Sequence, residues 1–145
     1  MGNTKVIRAK IRLDFKGVQK PGRLFWGGQN AEKIAEELRE KQVAVFRNIP
    51  IQGVTIEEVD MSMEIYTVYD DVEHSDTAFA PVILSVSASS PEDLIRFIIR
   101  DDFRKIEILE PSEVHFLQNE LERLFFKMSE EIKFNREMLK RKCNY

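Results

Sequence analysis

From Ile7 to Phe15 the chain alternates without a break, with Ile7, Ala9, Ile11, Leu13 and Phe15 on one side and Arg8, Lys10, Arg12 and Asp14 on the other. A period of two is that of a strand with one face in the core and one in water. Residues 16–28 are rich in glycine and break the pattern. Asn30 then stands where a helix N-cap belongs, ahead of Ile34, Ala35 and Leu38, and this helix is predicted to end near Gln42. Val43 to Ile49 reads as a short strand, and Pro50 with Gly53 supplies a turn into Val54–Tyr69. There Val59, Met61, Met63 and Ile65 alternate with Glu58, Asp60, Ser62 and Glu64, giving a second one-sided strand whose outer row is acidic where the first was basic. An acidic loop over 70–81 is predicted to close at Pro81. It leads to an apolar strand Val82–Ala88, a helix over 91–100 opened by Ser90-Pro91-Glu92 with Ile98 on its buried side, a strand Lys105–Leu109, and, after Pro111, a terminal helix over about 112–139.

Two strand–helix–strand units built from one-sided strands predict an α+β domain with a mostly antiparallel sheet and helices over its apolar face. The layout is ferredoxin-like, elaborated by the extra strand near 43–49. A doubly wound parallel sheet requires strands that are apolar on both faces, and only residues 82–86 approach that.

Composition adds a few constraints. A chain of 145 residues that is 43% hydrophobic can bury a core as one domain, residues 1–145, without disulfides or metal. The net charge of −3 supplies no general attraction to nucleic acid or an anionic membrane, so such a partner requires a local basic patch. Cys143 is the single cysteine, which excludes an internal disulfide and fits a reducing compartment. No apolar run reaches membrane-spanning length, the first residues match neither a signal peptide nor a myristoylation site, and a cytoplasmic location is expected.

The residues that carry chemistry are few, and each has a plain structural reading. Gly22 and Gly27-Gly28, with Lys20, Arg23 and Trp26 close by, precede a helix N-terminus and form a candidate anion or ligand loop; they match neither the dinucleotide fingerprint nor the P-loop. Asp70, Asp71, Glu73, His74 and Asp76 crowd one loop, but without calcium-loop spacing, and they read as a solvated hairpin. His115, beside Glu113 in the expected first turn of the terminal helix, lacks a nucleophile partner, and the serines lack a nucleophile-elbow pattern. The row Arg8, Lys10 and Arg12 could follow a phosphate backbone with Phe25 or Trp26 stacking on a base, yet Glu58, Asp60 and Glu64 are available to neutralise it. No catalytic residue, metal or cofactor is expected, and a nucleic-acid partner is disfavoured.

The terminal helix is the strongest functional signal. Val114, Leu117, Leu121, Leu124, Met128 and Ile132 follow helical spacing, widened by Phe125, and are expected to pack on the sheet. Phe116, Phe126 and Phe134 lie off that stripe and are candidates for self-association. The segment Val82-Ile83-Leu84-Ser85-Val86, then Ser90-Pro91-Glu92-Asp93-Leu94-Ile95-Arg96-Phe97-Ile98-Ile99, Lys105-Ile106-Glu107-Ile108-Leu109-Glu110-Pro111 and Leu117 to Met128, resembles the C-terminal extension that follows WYL domains in bacterial transcriptional regulators. The likeness spans residues 82–132 and implies a ferredoxin-like fold with a role in dimerisation or effector sensing. Neither a helix-turn-helix nor a Trp-Tyr-Leu motif precedes it, so DNA binding is not implied. The expected function is a non-enzymatic regulatory or assembly module that forms a homodimer and takes a small ligand or protein partner. The alternatives are a small-molecule enzyme of the ferredoxin-like dimer type and a weak nucleic-acid binder.

Overall fold

β1 (Ile7–Val18) is the strand that the alternation demands, and in the computed structural model, which describes residues 6–19, 30–72 and 74–143, it runs through the middle of the sheet. One edge of it pairs with β4 (Ser75–Ala88) and the other with β5 (Phe103–Glu110), both antiparallel. The outer edge of β4 is shared by two short strands, β2 (Val54–Asp60) on residues 83–88 and β3 (Tyr66–Asp70) on residues 75–79. β2 and β3 run in the same direction and act as one strand interrupted at 61–65. The order β2/β3–β4–β1–β5, antiparallel throughout, is that of a ferredoxin-like α+β fold. α1 (Ala31–Asn48) links β1 to β2, while a 3-10 turn (Pro91–Leu94) and the single helical turn α2 (Ile95–Ile98) link β4 to β5. α3 (Gln118–Cys143) follows β5.

The inward residues of β1 and β4 pair as Ile7 with Ala88, Ala9 with Val86, Ile11 with Leu84, Leu13 with Val82 and Phe15 with Ala80, and all are buried. α1 covers them in two ways. At its N-terminal half Ala31 and Ala35 meet Ala78 and Ala80, with Ile65 beside them. The approach here is close enough that a Cβ on Gly17 would lie 2.2 Å from the carbonyl oxygen of Ala31. At its C-terminal half the larger Leu38, Val43 and Phe46 enter the main core with Val54, Leu94 and Phe97. Small residues at one end and large at the other let a straight helix fit a twisted sheet.

α1 is longer than the sequence pattern suggests. Val43 to Ile49, expected as a strand, is the helix's last third, because Ala35, Val43 and Phe46 continue one helical stripe and that burial outweighs the β-propensity of a Val-Ala-Val-Phe run. The Asn30 cap forms as expected, its Oδ1 accepting from the Lys33 N–H at 2.8 Å.

Pro81 does not close a loop; it lies inside β4, opposite Asp14 of β1. Asp14 directs its N–H to Asp102 O at 2.8 Å on the β5 side, so Pro81 turns its backbone groups away from β1, toward residues 61–65 where no strand pairs. A proline is tolerated there because no ladder bond is asked of its nitrogen. Arg39 of α1 fills the gap, one Nη donating to Pro81 O at 3.1 Å and Met63 O at 3.2 Å. The strand expected over 54–69 is therefore broken, and β4 already begins at Ser75, inside the loop expected over 70–81.

Between β4 and β5 the expected ten-residue helix is two short turns. Asp93 Oδ2 accepts from Ser90 N and Oγ, each at 3.1 Å, which fixes the entry. Gly53, at φ +77°, sits so close to the Asp93 carboxyl that a side chain there has no room. Shortening the helix turns its faces: Leu94, Ile95 and Phe97 are buried, while Ile98 is 37% exposed and not in the core as expected. Truncating Phe97 to Ala is expected to cost about 3–5 kcal/mol, the usual range for a buried aromatic. Ile98→Asp is expected to fold and melt cooperatively. Urea unfolding of the two variants checks the assignment, and an Ile98→Asp chain that fails to fold would contradict it.

Candidate functional site

The two surfaces that α1 and α2 leave uncovered are the outer face of the sheet and most of α3. On the sheet, Arg8 donates to Glu110 Oε1 at 3.0 Å and to Glu57 Oε2 at 3.1 Å. Its guanidinium pKa is raised, first by the Glu57 bond and then by Glu110. Ser87 Oγ donates to the other Glu57 oxygen, and these two bonds hold the Glu57 carboxyl below its ordinary pKa, the serine contributing most. Lys10 stands opposite Glu107. Asp60 is held low chiefly by Ser62, with a smaller contribution from Lys10. The basic row is thus answered by acids, but largely not by the expected set. Glu57 takes the role foreseen for Glu58 because the β2 register shifts between Ile56 and Glu58. Glu110 comes from β5, and Arg12 turns to a neighbour on its own strand.

That neighbour is Asp14, which the alternation places in water and the structure leaves only 1% exposed. Arg12 binds it through both oxygens, Nε to Oδ1 at 2.9 Å and Nη2 to Oδ2 at 3.0 Å. Tyr66 Oη donates to Oδ2 from β3, reaching across β4. Arg104 Nε stands 3.6 Å from the same oxygen, its guanidinium over the Phe79 ring at 5.0 Å, and Phe79 stacks on Tyr66 at 5.3 Å between centroids. This cluster ties β3, β4, β1 and β5 together over the face opposite the hydrophobic core. A carboxylate with a bidentate guanidinium and a phenol donor has its lone pairs engaged, which is how a buried charge becomes tolerable. The Arg12 pKa rises mainly through its bond to Asp14. The Tyr66 phenol is raised by burial first and by Asp14 second.

α3 presents the opposite situation. Its main contacts with the rest of the domain are with the 3-10 turn and α2. Among its described side chains none is fully buried, and the half-buried ones are Glu120, Leu124, Lys127, Glu131 and Asn135. This domain-facing strip is mostly polar, with Lys127 and Glu131 paired at 3.1 Å. The apolar stripe points elsewhere: Leu117, Leu121, Phe125, Met128, Ile132 and Leu139 are all exposed, Phe125 to 59%. On a 3.6-residue turn its centre lies roughly a quarter-turn from the domain-facing strip. Of the stripe expected to pack on the sheet, Leu124 is half-buried on the domain-facing strip, while Val114, Leu117, Leu121, Met128 and Ile132, with the flanking Phe125, are exposed. Beside it, a cleft of about 540 Å³ separates Ile99–Asp102 from Ile132, Arg136 and Leu139 of α3.

Of the residues singled out in the sequence, Phe126 and Phe134 are exposed, at 66% and 61%, on the far side of α3 from this stripe. Phe116 precedes the helix and borders a small crevice with Ser90, Pro91 and Leu124. α3 begins six residues later than expected. His115 lies ahead of it, Nε2 3.2 Å from Glu113 Oε2 at the surface. Asp70 closes the hairpin turn by accepting from the Val72 N–H at 2.8 Å, and neighbouring register positions put Asp76 on the opposite sheet face. No group of three or more potential metal ligands gathers among the described residues. Lys20, Arg23, Trp26, Gly27 and Gly28 of the candidate ligand loop lie outside the described residues, as does Glu73. Asp14 is the residue sequence reasoning missed. Its one signal was that it is the sole acid in a row otherwise cationic up to Lys16.

The Tyr66 phenol is expected to ionise above its ordinary pKa of 10.0. The protonated form makes the bond, so its stabilising contribution is whole below the ordinary value and is lost as pH rises through the raised one. An alkaline absorbance titration of wild type minus Tyr66→Phe isolates that transition, and a difference curve centred at or below the ordinary tyrosine range would contradict the placement. Comparison with known proteins gives no match, whether to a family, a curated protein or a solved structure, so the likeness of residues 82–132 to the WYL-associated extension stands as a resemblance.

Proposed function

We propose that this chain is a non-enzymatic assembly module that works as a homodimer, with the exposed stripe of α3 as its contact surface. The observation that carries this reading is a helix of 26 residues whose apolar stripe lies beside the strip that meets its own domain and is left exposed there. An apolar surface of that length is a liability to a monomer and a resource to a dimer, since a two-fold axis can cover it with its own copy. The enzyme alternative needs ionisable groups that converge on a pocket with displaced pKa values. Here the displaced groups Arg8, Arg12, Glu57 and Tyr66 are bonded to partners within the sheet, and Asp60 to Ser62 just beyond β2, as a structural network would be. A nucleic-acid surface needs several uncommitted cations together, and Arg8 and Arg12 are committed.

Truncating Phe125 and Ile132 to Ala in every chain removes four apolar side chains from a dimer. At about 1.5–3 kcal/mol for each one buried, the dissociation constant is expected to rise by at least about ten-thousandfold. Sedimentation velocity at tens of micromolar is expected to show a dimer for wild type and a folded monomer for Phe125→Ala with Ile132→Ala. Phe126→Ala with Phe134→Ala serves as the second pair, on the other side of the helix. If only that pair dissociates the dimer, the contact surface is the side bearing Phe126 and Phe134; a monomeric wild type removes the dimer altogether.

A further inference from the structure

We propose that the half of the outer sheet face around Asp14 binds a small phosphate monoester, gripped by Arg12, Arg104, Lys105 and Lys16. This goes beyond the dimer and does not depend on it. Lys105 of β5 stands directly opposite Arg12 of β1, and Lys16 lies two residues past Asp14 on the same strand face, opposite Phe79. The Arg104 guanidinium lies over that same Phe79 ring at 5.0 Å. Asp14 is the one carboxylate bonded within the group. The other acids bordering it are engaged elsewhere, Asp102 by Arg100 through two contacts of 2.8 Å and Asp60 by the Ser62 N–H at 2.8 Å. Like charges directly opposite across a ladder are destabilising, and here two guanidiniums and two ammoniums divide a single anion in a protein whose net charge is −3. A second anion would relieve that repulsion.

The two arginines are also held in place, as a recognition site requires. Asp14, at 1% exposure, fixes the Arg12 guanidinium through Nε and Nη2 and leaves Nη1 without a hydrogen bond among the described residues. Phe79, itself stacked on Tyr66, supports the Arg104 guanidinium, whose Nε is the nitrogen paired with Asp14, at 3.6 Å. A phosphoryl group in front of them would meet outward-facing guanidinium donors, which suit its geometry, with the exposed Lys16 and Lys105 at its sides. The clasp between β3 and β1 stands without a ligand, and the surplus of positive charge is what it leaves over. The ligand is compact because that surplus is. Farther along β1 the face turns acidic, with Glu57 and Glu110 on Arg8 and Glu107 opposite Lys10. A polyanion running along the strand would meet those carboxylates, whereas one phosphoryl group need bridge only neighbouring strands, about 4.8 Å apart.

Phenyl phosphate is the probe, titrated into the isotope-labelled full chain at about pH 8, where a monoester carries nearly two charges. Saturable shifts are expected for the backbone amides of residues 12–16 and 103–105, with a dissociation constant of about a millimolar or tighter. Phenyl sulfate, of similar shape with one charge fewer, is expected to bind about tenfold more weakly. Lys105→Glu and Lys16→Glu are each expected to weaken phenyl phosphate by about tenfold or more. Arg136→Glu on α3 changes the net charge equally and is expected to leave binding as it was. Both lysines are exposed, and the unliganded spectrum of each variant checks that it is folded. The absence of saturable shifts up to tens of millimolar, a sulfate bound as well as the phosphate, or an Arg136→Glu effect as large as that of Lys105→Glu would each overturn the site. A single-stranded oligonucleotide that moves the same amides at lower concentration, and is released steeply by salt, would replace the small ligand by nucleic acid and overturn it as well.

Discussion

A two-layer domain has one apolar sheet face, and here α1 with the short turns of residues 91–98 occupies it. Every inward side chain of β1 from Ile7 to Phe15 is already buried beneath them. The opposite face offers no second core, because its centre is a bonded cluster of Arg12, Asp14, Tyr66 and Arg104 flanked by the Arg8, Glu57 and Glu110 group. α3 consequently has no sheet surface on which to lay its apolar stripe, and it turns a mostly polar strip to the domain. The fold leaves the helix exposed because its cores are filled elsewhere, and that is the origin of the surface proposed to join two copies.

The outer face has its own structural purpose. β2 and β3 each hold only part of one edge of β4, and the gap between them falls where Pro81 withholds a donor. Two long-range devices offset the missing ladder bonds. Arg39 reaches in from α1 to the carbonyls of Pro81 and Met63, and Tyr66 anchors β3 to Asp14 on β1. Hydrogen bonds to a charged group are worth more than neutral ones, about 1.5–3 kcal/mol, so two such contacts are substantial beside the few bonds the gap removes. The buried carboxylate reads as a clasp for an interrupted strand, and that account requires no ligand.

Much of this fold is legible in the residue pattern. The alternation of Ile7 to Phe15, the Asn30 cap and the Val82–Ala88 run each predict the element that forms, and the Ser90-Pro91 entry predicts where the helical turns begin but not how soon they end, because each depends on local geometry or on a single face being buried. What the pattern misreads depends on contacts distant in sequence. Val43 to Phe46 are helical through their fit to the core, Pro81 lies in a strand because a partner strand breaks opposite it, and Asp14 is buried because Tyr66 and Arg104 arrive from β3 and β5. The α3 stripe was visible as a stripe, but which body it faces depends on whether the sheet has room for it. Phe126 and Phe134 stand off the stripe and are exposed at 66% and 61%, yet the stripe is exposed as well, from 36% at Met128 to 59% at Phe125.

The central claim is that the apolar side of α3 is left bare by its own domain and covered only from outside. Amide hydrogen exchange measured as a function of protein concentration addresses this directly, since protection reports opening of individual elements. The account predicts that the amides of residues 121–139 become more protected as concentration rises from submicromolar to tens of micromolar, while those of β1 and β4 stay constant. Strong protection of α3 that does not change with concentration would mean that the helix is packed by its own chain, and would contradict the account.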